Sequence, residues 1–369
     1  MYRFLFILFL MSFFISCKNE TDELTDILVG TYTKNMGFVD GKGEGIYQLR
    51  INLTKGVADS LKLLQGGIEN PSYVRKAGNY YLSVSEVAGD DYSPYGRVNI
   101  LNKDLSGGRS FVTYGTSPCH IGISPAEDVF GVANYNGGAV VFYTLDKNSE
   151  PLFPQKFFFS CTKSEHPRQD ASHMHSVLFS PDGKFIVAAD LGCDSVRVFE
   201  REGNTIIYQP ENSIQVSMSC GPRHTDWSKD GKILAVSCEL SSSVETYKYE
   251  NGKFLKVSSV STLPENYNEN NTVSDIHFHP NGKFIYSANR GHNSIAAFSI
   301  NENGNLKPLG QFLTKGKTPR NFMITKDGKF MLAGNQDSDN ITLFKISENG
   351  TLVFINQIEC KTPVCLEQI

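Results

Sequence analysis

The 369 residues are 40% hydrophobic and only 20% charged, a balance that suits a folded chain with a sizeable core and argues against disorder. A formal charge of -4 and the lack of any long basic stretch exclude a nucleic-acid backbone as partner. Eight cysteines are scattered without a C-x-x-C pair, which argues against a structural zinc site.

At the N-terminus, Arg3 precedes an uncharged run from Phe4 to Ser16. This is too short to span a bilayer and matches the apolar core of a signal peptide. It ends in "FFISC", which resembles the lipobox of bacterial lipoproteins although Phe14 stands where Leu is usual. The resemblance implies a signal peptide over 1–16, lipidation of Cys17, a polar tether over 17–25, and an envelope location with a lipid anchor as the sole membrane contact. An ordinary secretory signal cleaved elsewhere is the alternative. Without Cys17, seven cysteines remain, an odd set that does not read as a disulfide framework.

From residue 26 onward the chain repeats itself. Four stretches share one shape: "HSVLFSPDGKFIVAADLGCDSVRVFE", "RHTDWSKDGKILAVSCELSSSVETYKY", "SDIHFHPNGKFIYSANRGHNSIAAFSI" and "RNFMITKDGKFMLAGNQDSDNITLFKI". Their turn glycines, Gly183, Gly231, Gly282 and Gly328, lie 48, 51 and 46 residues apart. Each unit reads as a strand, a D-G or N-G turn that needs positive φ, an apolar strand, a polar turn and an alternating strand. Weaker copies at 70–86 and 117–145, and "DILVGTYT" at 26–33, bring the count to seven units of about 49 residues. Four short strands at this period predict an all-β, seven-bladed β-propeller over residues 26–369. The first unit lacks a first strand, and "TPVCLEQI" at 362–369 reads as that strand, so the C-terminus is expected to pair with "ILVGT" and close the ring.

The two ends of a hairpin's paired strands that lie far from its turn are neighbours in space. Eight residues before each turn glycine stand Ser72 or Asn70, Cys119, His175, Arg223, Ser274, Arg320 and Val364. Eight residues after stand Glu86, Tyr135, Leu191, Glu239, Arg290 and Gln336, with Tyr32 as the first member. These positions are expected to rim the central channel. The longer connections, at 32–45, 87–97, 161–172 and 262–273, fall on the same side and mark it as the binding face. Other readings compete. Glu239 and Arg290 could form a structural ion pair between blades. His173 and His175, two apart on a strand, could face a metal, but no third ligand is evident. Asp190 and Asp194 suit backbone N–H groups near a turn. His120 and His224, one residue beyond the column, could point into blade packing.

The ordered set "LVGTYT", "NPSYV", "SPCH", "ANYNGG", "HMHSVLFSPDGKF", "GPRH", "CEL", "ANRG" and "TPRNFMITKDGKF" resembles the seven-bladed propeller lactonases, across essentially all of the chain beyond the tether. That family includes propeller-type 6-phosphogluconolactonases and is related to carboxymuconate cyclases. The related cyclases place a His, two Arg and a Glu around the channel. The resemblance therefore implies a catalytic set of His175, Arg223, Glu239 and Arg290, with no cofactor and no metal, acting on a small-molecule lactone. Either Glu239 or His175 would be the base, depending on whether Arg290 holds Glu239 ionised. The arginines would stabilise an oxyanion or bind a carboxylate, and Glu86, Arg320 and His120 would contact the rest of the substrate. Two alternatives share the fold: a non-catalytic envelope propeller that binds carbohydrate or protein through Tyr32 and Tyr135, and a cyclase or isomerase running the lactone reaction in reverse. An exported location is at odds with 6-phosphogluconolactone, which is made in the cytoplasm.

Overall fold

The structure is a computed structural model that describes residues 24–369, apart from 90–92, 104–107, 146–150, 163 and 251. The signal segment and Cys17 lie outside the described residues. Seven antiparallel sheets form the blades of a propeller, six built from consecutive strands in meander order. The first blade is composite. Its innermost strand is Pro363–Gln368, which pairs with Leu24–Thr31 through Val29 opposite Leu366 and Gly30 opposite Cys365. The expected ring closure is thus made by hydrogen bonds between the two ends of the chain, and pairing begins at Leu24, two residues inside the segment read as tether.

The repeated turns work as the sequence demands. Gly183, Gly231, Gly282 and Gly328 adopt φ of 71°, 70°, 73° and 75°. In each, the glycine N–H donates to the carbonyl three residues earlier at 2.8 Å. A side chain would be strained there, which explains why these four units align on glycine. The strand after each turn is nearly continuous apolar sequence because its faces pack against both neighbouring blades: Ile186–Ala189, Leu234–Val236 and Met331–Ala333 are all buried.

A second regularity positions the site. The first strands of blades three to seven each carry a β-bulge at the same place. Register shifts fall between Pro118 and His120, Met174 and Ser176, Pro222 and Thr225, Val273 and Ile276, and Pro319 and Asn321. The extra residue on one strand breaks the in-out alternation and re-aims side chains. Cys119, His175, Arg223, Ser274 and Arg320 all sit within these bulges, at the channel end of their strands.

Two disulfides correct the reading of the cysteines. Cys161 bonds Cys193, and Cys220 bonds Cys238. Their pairing follows from register, which composition does not reveal: Cys238 lies opposite Pro222, two residues beyond Cys220. Cys119, Cys360 and Cys365 are free and buried.

Candidate active site

The channel end predicted from the hairpins opens into a cavity of about 510 Å³. Its walls include Glu86, Cys119, Tyr135, His175, Glu239, Arg290, Arg320 and Gln336, all members of the expected columns, and also Arg168. A chamber of about 10 Å³ lies against it, room for one water, with Cys119, His175, Arg223 and His224 in its walls. Leu191 departs from its column: it is fully buried at the start of the short 3-10 turn Leu191–Cys193 and lines neither the cavity nor the chamber.

Glu239 follows the strand Ile233–Cys238 and is the electrostatic centre. Its Oε1 lies 2.8 Å from Arg290 Nη2 and 3.0 Å from Arg168 Nη1. Its Oε2 is 3.2 Å from Arg223 Nε and 4.0 Å from His175 Nε2. The Arg223 contact is close in charge but out of line, so Oε2 and Nε are both buried without an aligned hydrogen-bond partner. Burial alone would push the Glu239 carboxyl up, but Arg290, Arg168 and Arg223 together outweigh it and hold the group at about 2. Glu239 is therefore an anion at neutral pH and a poor proton acceptor. Burial and the Arg290 cation pull Arg223 down to about 10, which still leaves it charged at neutral pH.

His175 is the opposite case. Burial first, then the cations of Arg223 and Arg320, hold it well below the usual histidine range, so its ring is neutral at neutral pH. Nδ1 lies 3.8 Å from the Cys119 thiol, and Nε2 faces the unengaged oxygen of Glu239. Burial and Glu86 push the Cys119 thiol up, so it stays protonated.

A second group occupies the opposite wall. Tyr32 hydroxyl donates to Glu86 at 2.8 Å and accepts from Arg320 Nη2 at 2.7 Å, while Ser72 donates to the same Glu86 oxygen at 2.5 Å. Tyr32 is fully buried, so it is no exposed aromatic platform; Tyr135 stacks on His173 and bonds Arg168. Phe38 is an exposed aromatic at this rim, at 60% exposure, with the Arg320 guanidinium 5.8 Å from its ring.

The structure brings His175, Arg223, Glu239, Arg290, Glu86 and Arg320 together, and separates His120 from them. His120 is buried against the Tyr73 ring, 4.1 Å between centroids, its Nδ1 accepts from the Val177 N–H, and it lines neither the cavity nor the chamber. Its place is blade packing. His173 and His175 engage different partners, Asp170 and the Tyr135 carbonyl for the first, Cys119 and Glu239 for the second. Asp194 accepts from the Ser219 and Gly221 N–H groups, and Asp190 from that of His173, as turn-side aspartates do. Among the described residues, the one cluster with metal-ligand spacing is Cys220, Cys238 and Glu245, and its two cysteines are spent in a disulfide.

Arg168 was not among the expected residues. It sits in the long rim segment 161–172, off every strand, so no strand column reaches it. Cys161–Cys193 ties the start of that segment to the blade-four turn, and Arg168 then bonds Tyr135 at 2.9 Å. Because its side chain is 43% exposed and rests on Glu239 from the open side, Arg168→Ala is expected to raise KM for an anionic substrate about tenfold with a smaller change in kcat. Steady-state kinetics would show this.

Residues 26–368 match the family described as lactonase, 7-bladed beta-propeller. The chain belongs to that lactonase family. It is 30% identical over 302 residues to the 6-phosphogluconolactonase of Bacillus subtilis, covering 80% of this chain and 83% of the relative. The periplasmic gluconolactonase of Pseudomonas aeruginosa superimposes with a TM-score of 0.82 at 26% identity, over 94% of this chain and 99% of that one. A Lactobacillus plantarum protein gives 0.84 at 27% identity, over 94% and 100%. The lactonase family fits a cavity built for a small molecule.

Proposed function

We propose that this lactonase hydrolyses a sugar-derived lactone, similar to 6-phosphogluconolactone, by attack of water in the cavity. The observation that carries the reading is a neutral His175 beside one carboxylate shared by three guanidiniums. Ring opening needs a proton acceptor for water and fixed positive charge where the carbonyl oxygen becomes an anion. His175 supplies the lone pair. Arg223, which is buried, and Arg290, which is 14% exposed on the cavity wall, are both held against Glu239 and supply preorganised charge. Glu239 is the spacer that keeps them in place. An anionic tail near Arg168 or Arg320 would offset the cations that depress His175 and make it a better base in the complex. The proton taken by His175 then returns to the ring oxygen as the carbon–oxygen bond breaks, leaving a hydroxy acid.

The test is acid release by protein lacking residues 1–17 across a panel of glucono-lactone, 6-phosphogluconolactone and a muconolactone. Hydrolysis above the spontaneous rate for an aldonolactone supports the reading. A preference for the phosphorylated member that Arg320→Ala abolishes would assign Arg320 to the phosphate. No acceleration on any member would reject it.

We further propose, from the signal-like run ending in "FFISC" and not from the chemistry, that the protein lies at the cell envelope, anchored through a lipid on Cys17. Two disulfides fit an oxidising compartment, and the Pseudomonas gluconolactonase is itself periplasmic. Incorporation of labelled fatty acid that Cys17→Ser abolishes would test it. The disulfides also touch function. Cys161–Cys193 closes a span of 32 residues that includes Arg168, so its loss in Cys161→Ser is expected to cost about 3 kcal/mol in unfolding experiments. KM should rise in the same variant as Arg168 loosens.

A further inference from the structure

The proposed mechanism leaves unused a buried polar chain beneath the cavity. Consecutive residues of a strand point to opposite faces, yet in the blade-five bulge Arg223 Nη1 lies 3.2 Å from Nε2 of the next residue, His224. On the other side of the ring, His224 Nδ1 is 2.7 Å from Asp275 Oδ1 in blade six. Asp275 is buried and firmly held. Its carboxylate also accepts from the Ile276 and Phe322 N–H groups at 3.0 and 3.2 Å, from Asn321 Nδ2 at 2.5 Å and from His277 Nε2 at 3.1 Å.

These contacts decide the tautomer. A guanidinium can only donate, so the Nε2 that meets it carries the lone pair; a carboxylate can only accept, so Nδ1 carries the proton. His224 is a neutral ring wedged between a cation and an anion. We infer that His224, oriented by Asp275, is a positioning residue that sets the Arg223 guanidinium against Glu239. Arg223 Nη1 also donates to the Ser274 carbonyl at 2.5 Å, and its Nε edge faces Glu239. His224 thus completes the frame that fixes the plane of the guanidinium. The inference rests on the proposed function only in assigning Arg223 a part in turnover.

The surroundings support this. The ring is met edge-on by His120 at 5.0 Å, by His175 at 5.6 Å and by Tyr73 at 6.2 Å between centroids. Behind Asp275 stand His277 and, 3.9 Å from it, Asp226. Burial and then Arg223 push His224 down to about 4, against the pull of Asp275. Below that pH an N–H would replace the lone pair opposite Nη1, and two donors would repel.

Two variants separate positioning from packing. His224→Gln retains an amide N–H for Asp275 and a carbonyl for Arg223, and is expected to keep kcat/KM within about fivefold of wild type. His224→Leu fills the space without either contact, and should lose about 100-fold in kcat with little change in KM while its thermal transition shows a folded protein. Equal losses in both variants, or a Leu variant as active as wild type, would overturn the inference. A second readout needs no turnover. Nitrogen-15 spectra of histidine-labelled protein should show His224 protonated at Nδ1 alone at neutral pH. Arg223→Ala should raise its proton affinity about tenfold. A doubly protonated ring, a proton on Nε2, or no shift in Arg223→Ala would contradict the inference. If wild-type protein opens no lactone but these spectra hold, the proposed function fails and the placement of Arg223 by His224 stands.

Discussion

Glu239→Gln is expected to lower kcat/KM for lactone opening by about a thousandfold and to destabilise the fold by about 3 kcal/mol. Both effects have one cause. Glu239 is 1% exposed and is the shared counter-charge for Arg168, Arg223 and Arg290. The amide keeps the shape but leaves three guanidiniums, that of Arg223 buried, facing one another without an anion. They must then separate or draw in water, and the preorganised charge that would receive the oxyanion is lost. The stability effect also has a pH signature. A carboxyl held at about 2 in the folded state against an ordinary 4.5 contributes stability that is fully present above 4.5 and is lost as the pH falls towards 2. The difference in thermal stability between wild type and Glu239→Gln should therefore be largest above pH 4.5 and shrink below it.

His175→Ala is expected to show the opposite balance, with kcat lower by about 100- to 10,000-fold and stability little changed. The ring's polar contacts are long, 3.8 Å to Cys119 and 4.0 Å to Glu239, so its removal strands no buried partner. The pH profile follows from its depressed protonation. Below its folded value the ring is charged and cannot take a proton from water, and that value lies well under 6.5. In wild type, kcat/KM should thus stay level through pH 6.5 and fall only in more acidic solution. A fall centred at 6.5 would mean an ordinary, solvent-exposed histidine in that role.

The residual activity of the two variants carries different information. In His175→Ala the arginine cluster is intact, so what remains measures preorganised charge with water as its own base. In Glu239→Gln the base is intact and the charge is not. Their effects should fall short of additivity in the double variant, because the two side chains face each other across 4.0 Å and act on one reacting group.

Most of the architecture was legible because the D-G and N-G turns state both a period and a polarity. Once Gly183, Gly231, Gly282 and Gly328 are aligned, the strand ends eight residues to either side must share one face, and six of the seven nominated site residues within the described chain meet there. Ring closure was legible for the same reason: "TPVCLEQI" repeats the first strand of "TPRNFMIT" and has no partner but the N-terminal strand. The bulges were not legible, since nothing in local sequence marks where alternation breaks. That is why His120 and His224, neighbours of column residues, could be placed only by the structure. It sends one to packing beside Tyr73 and the other to Arg223. Arg168 escaped because it arrives from a loop, and loop conformation depends on tertiary contacts such as its bond to Tyr135. The disulfides escaped because each joins cysteines brought close by register or by a loop path, and an odd count suggests no pairing.

The measurement that bears most directly on the account is acid release from an aldonolactone by purified wild-type protein and by His175→Ala, compared with the uncatalysed rate at pH 7. Wild-type acceleration that the variant loses by 100-fold or more, at unchanged thermal stability, is the predicted result. Equal acceleration by both proteins, or none by either, would contradict a lactonase in which neutral His175 draws the proton from water.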